Sequence, residues 1–342
     1  MDRNQHSRRE EEAVKDVIQG RELFSLEVLG NTIQGTCHLP QDASSDVHGT
    51  VADYKGTGIL LISGLLAPRA GIGDSLVRWA DSLAKDGYPC FRFDLPGTCD
   101  SGGAPPAELM SFINTGGYEA ATVEIIKQLR LRYDLESMIL IGHCSGAVTA
   151  LFAASSCDGC RGLVLLEPYF HLPPPVATKS RAALSEWAAS NRLGGILSDI
   201  FDRLKELRLR LRRSELPGNA NFPLIKRWKS LASAGLPILI LKVPAAKAAG
   251  AKPRLGEFDY LTYVAGIGGS RRRVDIKVIE GTTHSFADQA GRLAVRRYTE
   301  SWLDEYFPQA NLKRKLAPDH NVPMQPGASV STDSLVPVSP GD

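Results

Sequence analysis

The chain holds 342 residues, room for one large α/β domain with an insertion but not for two full domains between a charged start and a proline-rich end. Apolar residues make up 43% and charged residues 23%, which excludes fibrous, wholly disordered and membrane-spanning compositions. A formal net charge of +2 removes the whole-molecule electrostatic case for nucleic acid; with no apolar run of membrane length and no secretory signal pattern, a cytoplasmic chain is expected.

Residues 1–20 are charged and poor in large apolar groups, which reads as an N-terminal arm. FSLEVL and TIQGTCHL then alternate on either side of Gly30-Asn31, the pattern of a hairpin. GILLISG (58–64) is a continuous apolar run ending in glycine, as expected of a strand buried on both faces. DSLVRWADSLAKDG (74–87) carries Leu76, Trp79, Ala80 and Leu83 on one helical face and stops at Gly87. YPCFRFDL (88–95) reads as the next parallel strand, closed by the turn signal Pro96-Gly97. A helix over 118–133 leads to the strand MILI, a helix of small residues (145–156) and the strand GLVLLE (162–167). Strand and helix alternate on a period that gives an α/β fold, a mostly parallel central sheet flanked by helices.

From 171 to 234 the alternation stops. A proline run and amphipathic segments there predict an inserted helical cap. Its stretch 198–215 bears Arg203, Lys205, Arg208, Arg210, Arg212 and Arg213, either a solvated face or a docking site for an acidic carrier or a phosphate-bearing substrate. The sheet pattern resumes at LPILILKV (236–243) and VDIKVIEG (274–281), and a helix over 291–307 closes the domain. The core is thus expected over 21–170 and 235–307, with a disordered tail over 308–342. Six cysteines without a signal peptide are expected as free thiols, and Cys157 and Cys160, a CxxC without further ligands, as a loop.

The strongest local signal is Gly142-His143-Cys144-Ser145-Gly146 between a buried strand and a small-residue helix. It fits G-x-Nuc-x-G, a sharp turn presenting a nucleophile, whose positions two before and two after must be very small. With Cys144 as nucleophile those positions are Gly142 and Gly146; with Ser145 they would be His143 and Ala147, and a histidine should not fit. Cys144 is therefore the candidate nucleophile. His284, in EGTTHSF directly after the last strand, is the candidate base. His143 is expected to point elsewhere in a structural role.

SGLLAPRAG, DLPGTCDSGG, GHCSGA and EGTTHSF together resemble the α/β-hydrolase superfamily over about residues 56–307, with cysteine where serine is usual. Cysteine-nucleophile hydrolases and thioesterase-like acyl-transfer enzymes are similar. The resemblance implies a catalytic acid, yet Pro244-Ala245-Ala246-Lys247, after LPILILKV, offers no carboxylate in the usual seat. Glu167, at the end of GLVLLE, is the first alternative, because thioesterase-like members use that position and a strand end fixes a carboxylate well; Asp259 and Glu257 follow. The resemblance also implies an oxyanion hole from the Ser145 amide and that of Leu65 or Leu66. Tyr169, Phe170 and His171, at the start of the cap, are candidate pocket residues, with hinge packing as the other reading.

The expected function is acyl transfer through a Cys-His-acid triad and a thioester acyl-enzyme: a thioesterase, acyltransferase or cyclase. A carboxylic ester or lactone hydrolase and a non-catalytic binder of the same fold are the alternatives. A small-molecule acyl substrate, free or carrier-bound as a thioester, is the expected partner. Neither a metal nor another cofactor is expected, since the chemistry needs none and no GxGxxG or P-loop pattern occurs.

Overall fold

The computed structural model describes residues 20–40, 56–65, 67–172, 216–244, 258–267 and 273–307. The expected arm, the basic stretch 198–215 and the tail 308–342 lie outside the described residues. β1 (Arg21–Val28) and β2 (Asn31–His38) pair antiparallel through their whole length, from Arg21 opposite His38 to Val28 opposite Asn31. The turn is Leu29-Gly30, one residue earlier than the pattern suggests, with φ of 50° and 79°. A two-residue hairpin loop of that twist needs positive φ at both central positions, which glycine adopts freely and leucine only under strain.

β3 (Thr57–Ile62), β4 (Cys90–Phe93), β5 (Ser137–His143), β6 (Cys160–Leu166), β7 (Ile238–Lys242) and β8 (Val274–Val278) complete an eight-stranded sheet ordered β1-β2-β4-β3-β5-β6-β7-β8. β2 runs against its two neighbours, and the strands from β4 to β8 are mutually parallel. The chain steps from β3 to β4 on one side and then to β5 on the other. That reversal splits the connections to opposite faces and leaves a crevice at the carboxyl ends of β3 and β5, where open α/β sheets bind ligands.

Helices cover both faces. α1 (Ser75–Lys85) and α7 (Gln289–Tyr306) pack with Ile59, Leu61, Ile139, Ile141, Val164 and Leu166. Alternate residues of the same strands, Leu60, Ile62, Leu140, Leu163 and Leu165, face α3 (Glu119–Arg132), α4 (Ser145–Ala154) and α5 (Phe222–Ser233). The two-residue period of a strand thus feeds both cores, which is why these strands read as unbroken apolar runs. All ten residues of α4 are buried between sheet and helices, so its small side chains are the ones that fit. Two short helices, α2 (Leu109–Asn114) and α6 (Tyr260–Ala265), complete the described elements. Among the described residues no helix is long and apolar enough to cross a membrane.

Part of the stretch expected as a cap, 171–234, packs with the core. α5 belongs to the core: Leu224, Ile225, Trp228, Leu231 and Ala232 are buried, Trp228 donates to the Val264 carbonyl at 2.8 Å, and Asn221 caps the helix by accepting from the Leu224 amide. It is the crossover from β6 to β7. The described residues on either side of 173–215 are tied together, Leu172 N–H to Asn219 O at 2.7 Å and Asn221 N–H to Phe170 O at 2.9 Å. His171 and Ala220 form a β-bridge between those bonds.

Candidate active site

Cys144 sits between β5 and α4 with φ 53° and ψ −115°, a conformation that costs a non-glycine residue roughly 1–3 kcal/mol and persists only where its surroundings impose it. They do. Its N–H donates to Leu166 O at 2.8 Å and its carbonyl accepts from Ala147 N–H at 3.0 Å. A Cβ on Gly142 would lie 2.4 Å from the Gly146 carbonyl oxygen, and one on Gly146 would lie 2.4 Å from that of Ile62 and 2.5 Å from that of Ser63. All are backbone atoms with no freedom to retreat, so both glycines are sterically required. Ser145 is buried at the first position of α4, whereas Cys144 opens on a cavity.

His284 follows β8 on a loop pinned at both ends. Ile279 and Phe286 are buried in the core, Gly281 turns the chain at φ 73°, and Thr282 hydrogen-bonds Asp288, which also caps α7 by accepting from Gly291 N–H at 2.8 Å. On this loop His284 Nδ1 lies 3.2 Å from Glu167 Oε2. Glu167 ends β6 with φ 50°, its N–H donating to Leu241 O at 2.9 Å and its Oε1 accepting from Val243 N–H. Two backbone bonds therefore orient the carboxylate toward the imidazole. Asp259 is engaged elsewhere, accepting from the Thr262 amide at 3.0 Å and hydroxyl at 2.6 Å as the cap of α6. Glu257 lies outside the described residues.

His143 is a correction to the sequence reading. It does not point away from the site: its Nε2 lies 2.8 Å from the His284 carbonyl oxygen, its ring is 5.2 Å from the His284 ring, and it lines the same cavity as Cys144. Burial holds it below the ordinary histidine range, against the opposing effect of that bond to the His284 carbonyl. A neutral ring with Nε2–H as donor fits both facts. It ties the cysteine turn to the histidine loop.

Above the turn, the loop after β3 passes close enough that a Cβ on Gly64 would be 3.1 Å from His143 O and 3.5 Å from Cys144 Cβ. Gly64 O accepts from Ala67 N–H at 3.0 Å, so Leu65 takes the second position of a turn whose closing bond leaves its own amide free. Ser145, first in α4, likewise has no intrahelical acceptor for its amide. Leu66 lies outside the described residues.

The cavity is about 320 Å³ and is walled by α1, α7 and the strand ends. Leu76, Trp79, Leu166, Phe286 and Val295 give it an apolar body, and Cys144 and His284 open into it. Residues 58–250, more than half of the chain, match the family model described as alpha/beta hydrolase fold. The chain belongs to that family.

Solved structures with the same fold include the α/β hydrolase GrgF of Penicillium sp. sh18, with 13% identity over 85% of this chain and 100% of the other at a TM-score of 0.54. A hypothetical protein of Pseudomonas aeruginosa matches at 16% identity over 84% and 94% with a TM-score of 0.51, and an esterase of Pyrococcus furiosus at 14% over 85% and 93% with a TM-score of 0.50. No curated protein matches the sequence.

Within this α/β-hydrolase the expected pocket residues fare differently. Phe170 is fully buried and packs edge-on against Trp228 at 5.4 Å, so it is a core residue. Tyr169 and His171 lie near each other and His171 against Tyr260, outside the cavity walled by α1 and α7, while Tyr169 remains near enough to Cys144 that burial, and after it the thiolate charge, push its hydroxyl up to about 12. The wall comes instead from α1 and α7, whose helical patterns carried no mark of a pocket.

Burial pushes the Cys144 thiol up, the Ser145 amide pulls it partly back, and the Glu167 charge pushes it up again. Each raising effect favours the thiol over the thiolate.

Proposed function

We propose that this α/β-hydrolase is an acyl-transfer enzyme in which Cys144 is the nucleophile, His284 the base and Glu167 the acid. The observation that carries the reading is the 3.2 Å approach of His284 Nδ1 to Glu167, beside a strained cysteine that shares the cavity with His284. It also counts against a non-catalytic binder, a reading that rested on the empty acid seat after LPILILKV. Nδ1–H donates to the carboxylate, which leaves the Nε2 lone pair to receive the thiol proton. The sulfur bonds to the substrate carbonyl carbon, and the carbonyl oxygen takes up the negative charge facing the Leu65 and Ser145 amides.

Collapse of that intermediate breaks the bond to the leaving group, which departs with the proton held by His284, and Cys144 is left as a thioester. An acceptor then gives its proton to His284, bonds to the acyl carbon and displaces the sulfur, which recovers a proton from the imidazolium. Water as acceptor makes the enzyme a hydrolase; a thiol, an amine or a hydroxyl of the acyl chain itself makes it a transferase or cyclase. The expected donor is a small acyl substrate, free or carrier-bound.

The test is mass spectrometry of the full-length protein after incubation with an acyl N-acetylcysteamine thioester or a p-nitrophenyl ester. One acyl group on the Cys144 peptide, absent from Cys144→Ala, is the expected result. Turnover that survives in Cys144→Ala, or an adduct confined to another residue, would overturn the reading.

A further inference from the structure

The wall of the cavity is charged in one sense. Arg78 on α1 and Arg292 and Arg296 on α7 all line it, and among the described residues that do so there is no carboxylate. Arg296 is offset by Glu300, four residues on, whose Oε1 lies 2.5 Å from its Nε. Arg292 spends one donor on the neutral Ala287 carbonyl, and neither it nor Arg78 makes an ion pair among the described residues. Among the described residues, these two guanidinium groups at the apolar cavity have no counter-charge.

Behind the same wall lie two buried polar atoms. The indole N–H of Trp79 and the hydroxyl of Ser82, both on cavity-lining residues that are more than nine-tenths buried, have no partner among the described residues. Leaving a buried donor unmatched costs about 1–3 kcal/mol, so such groups call for an acceptor. On α1, Arg78 and Trp79 precede Ser82 by four and three residues, so the three share one face of the helix.

We infer that the acyl donor is anionic: an apolar acyl chain fills the cavity while a carboxylate or phosphate oxygen, separate from the reacting carbonyl, is held by Arg78 and Arg292. This deepens the acyl-transfer reading and rests on it. The oxyanion belongs either to the acyl chain, as a terminal carboxylate, or to the carrier portion, as a phosphate. Planar guanidinium donors suit both, in paired charge-assisted hydrogen bonds.

The experiment compares matched donors on the full-length protein: p-nitrophenyl hexanoate against mono-p-nitrophenyl adipate, and hexanoyl N-acetylcysteamine against hexanoyl coenzyme A. The second-order rate of Cys144 acylation is read for each. At least one anionic member should exceed its neutral partner about tenfold at low salt, and the pair that shows it identifies the source of the oxyanion. The ratio should shrink as salt is raised and fall toward one in Arg78→Gln/Arg292→Gln. It should persist in Lys127→Gln, a control on the opposite face of the sheet.

Equal rates within both pairs, with Cys144 still acylated by the neutral donors, would overturn the anionic preference and leave the acyl-transfer reading standing. A ratio unchanged in the double arginine variant, once its melting curve shows it folded, would equally overturn the assignment to these residues. No acylation by any of the four donors would remove the reading itself and the inference with it.

Discussion

Replacing Glu167 by glutamine probes the geometry most directly, because it keeps the side chain's size and removes one acceptor. Glu167 accepts from two donors, Val243 N–H through Oε1 and His284 Nδ1–H through Oε2. A glutamine has one oxygen. If that oxygen stays with Val243, the amide NH2 faces Nδ1, and the imidazole must take the tautomer in which Nδ1 accepts and Nε2 carries the proton. A base so arranged cannot take the thiol proton. The alternative, a flipped amide, sets NH2 against the Val243 N–H and leaves a donor unpaired at a cost of about 1–3 kcal/mol.

The charge adds to this. At 3.2 Å an imidazolium and a carboxylate attract by about 5 kcal/mol at an effective dielectric of 20 and by about 1 kcal/mol in water. His284 is 53% exposed, which places the pair between those limits, near a 10²-fold effect on rate. With the tautomer penalty, Glu167→Gln should acylate about 10²–10⁴-fold more slowly, the usual worth of a positioned general base. Single-turnover release of p-nitrophenolate measures that step, and a melting curve within a few degrees of the parent shows the fold intact. An acylation rate within threefold of the parent from pH 6 to 9 would refute the assignment.

Other consequences follow from the same structure. Because the Cys144 thiol is held above its ordinary value by burial, its alkylation by iodoacetamide should rise with pH through and beyond the usual thiol range, with no plateau near pH 6; a low-pH plateau would mean a resting thiolate. Gly146→Ala should cost about 3 kcal/mol or more in urea unfolding, because its Cβ meets two strand-end carbonyls; a loss below about 1 kcal/mol would show that the turn yields. Acid stability should depend on His38, which burial and the nearby Arg92 charge hold down at about 4 despite its bond to Asp81. Its folded pKa lies below the unfolded value, so its contribution is complete above about pH 6.5 and is lost as pH falls through 4. That is on the order of 3 kcal/mol, and unfolding of His38→Gln compared with the parent at pH 7 and pH 4 isolates it.

What the sequence disclosed follows the range of the physics involved. Strands such as GLVLLE are buried on both faces and announce themselves as apolar runs. Gly142 and Gly146 are legible because the clash they avoid is local, within the turn and the strand beside it. Glu167 was legible as a candidate because a strand end is a fixed place, and among the described residues it is the carboxylate that pairs with His284. The misses turn on distant partners. Whether His143 faces the site depends on a carbonyl 141 residues away. Phe170 reads equally as pocket or core until Trp228 is folded against it. The apolar face of α5, regular as it is, was read as part of the expected cap because the polar stretch before it obscures where the core pattern resumes.

A cysteine on this turn changes the second half of the reaction more than the first. Under the proposed mechanism, an environment that raises the thiol makes Cys144 depend on His284 for attack, much as a serine would. The acyl-enzyme differs in kind: a thioester gives up its sulfur more readily than an ester gives up its oxygen, so it passes its acyl group to thiols and amines as well as to water. Selection of the product therefore falls to whatever acceptor reaches the acyl carbon. In a cavity whose body is apolar, water has few partners among the wall residues apart from the polar groups that an anionic donor would occupy. Under the proposed mechanism, sulfur chemistry and an apolar cavity both predict acyl transfer over hydrolysis wherever an acceptor other than water enters.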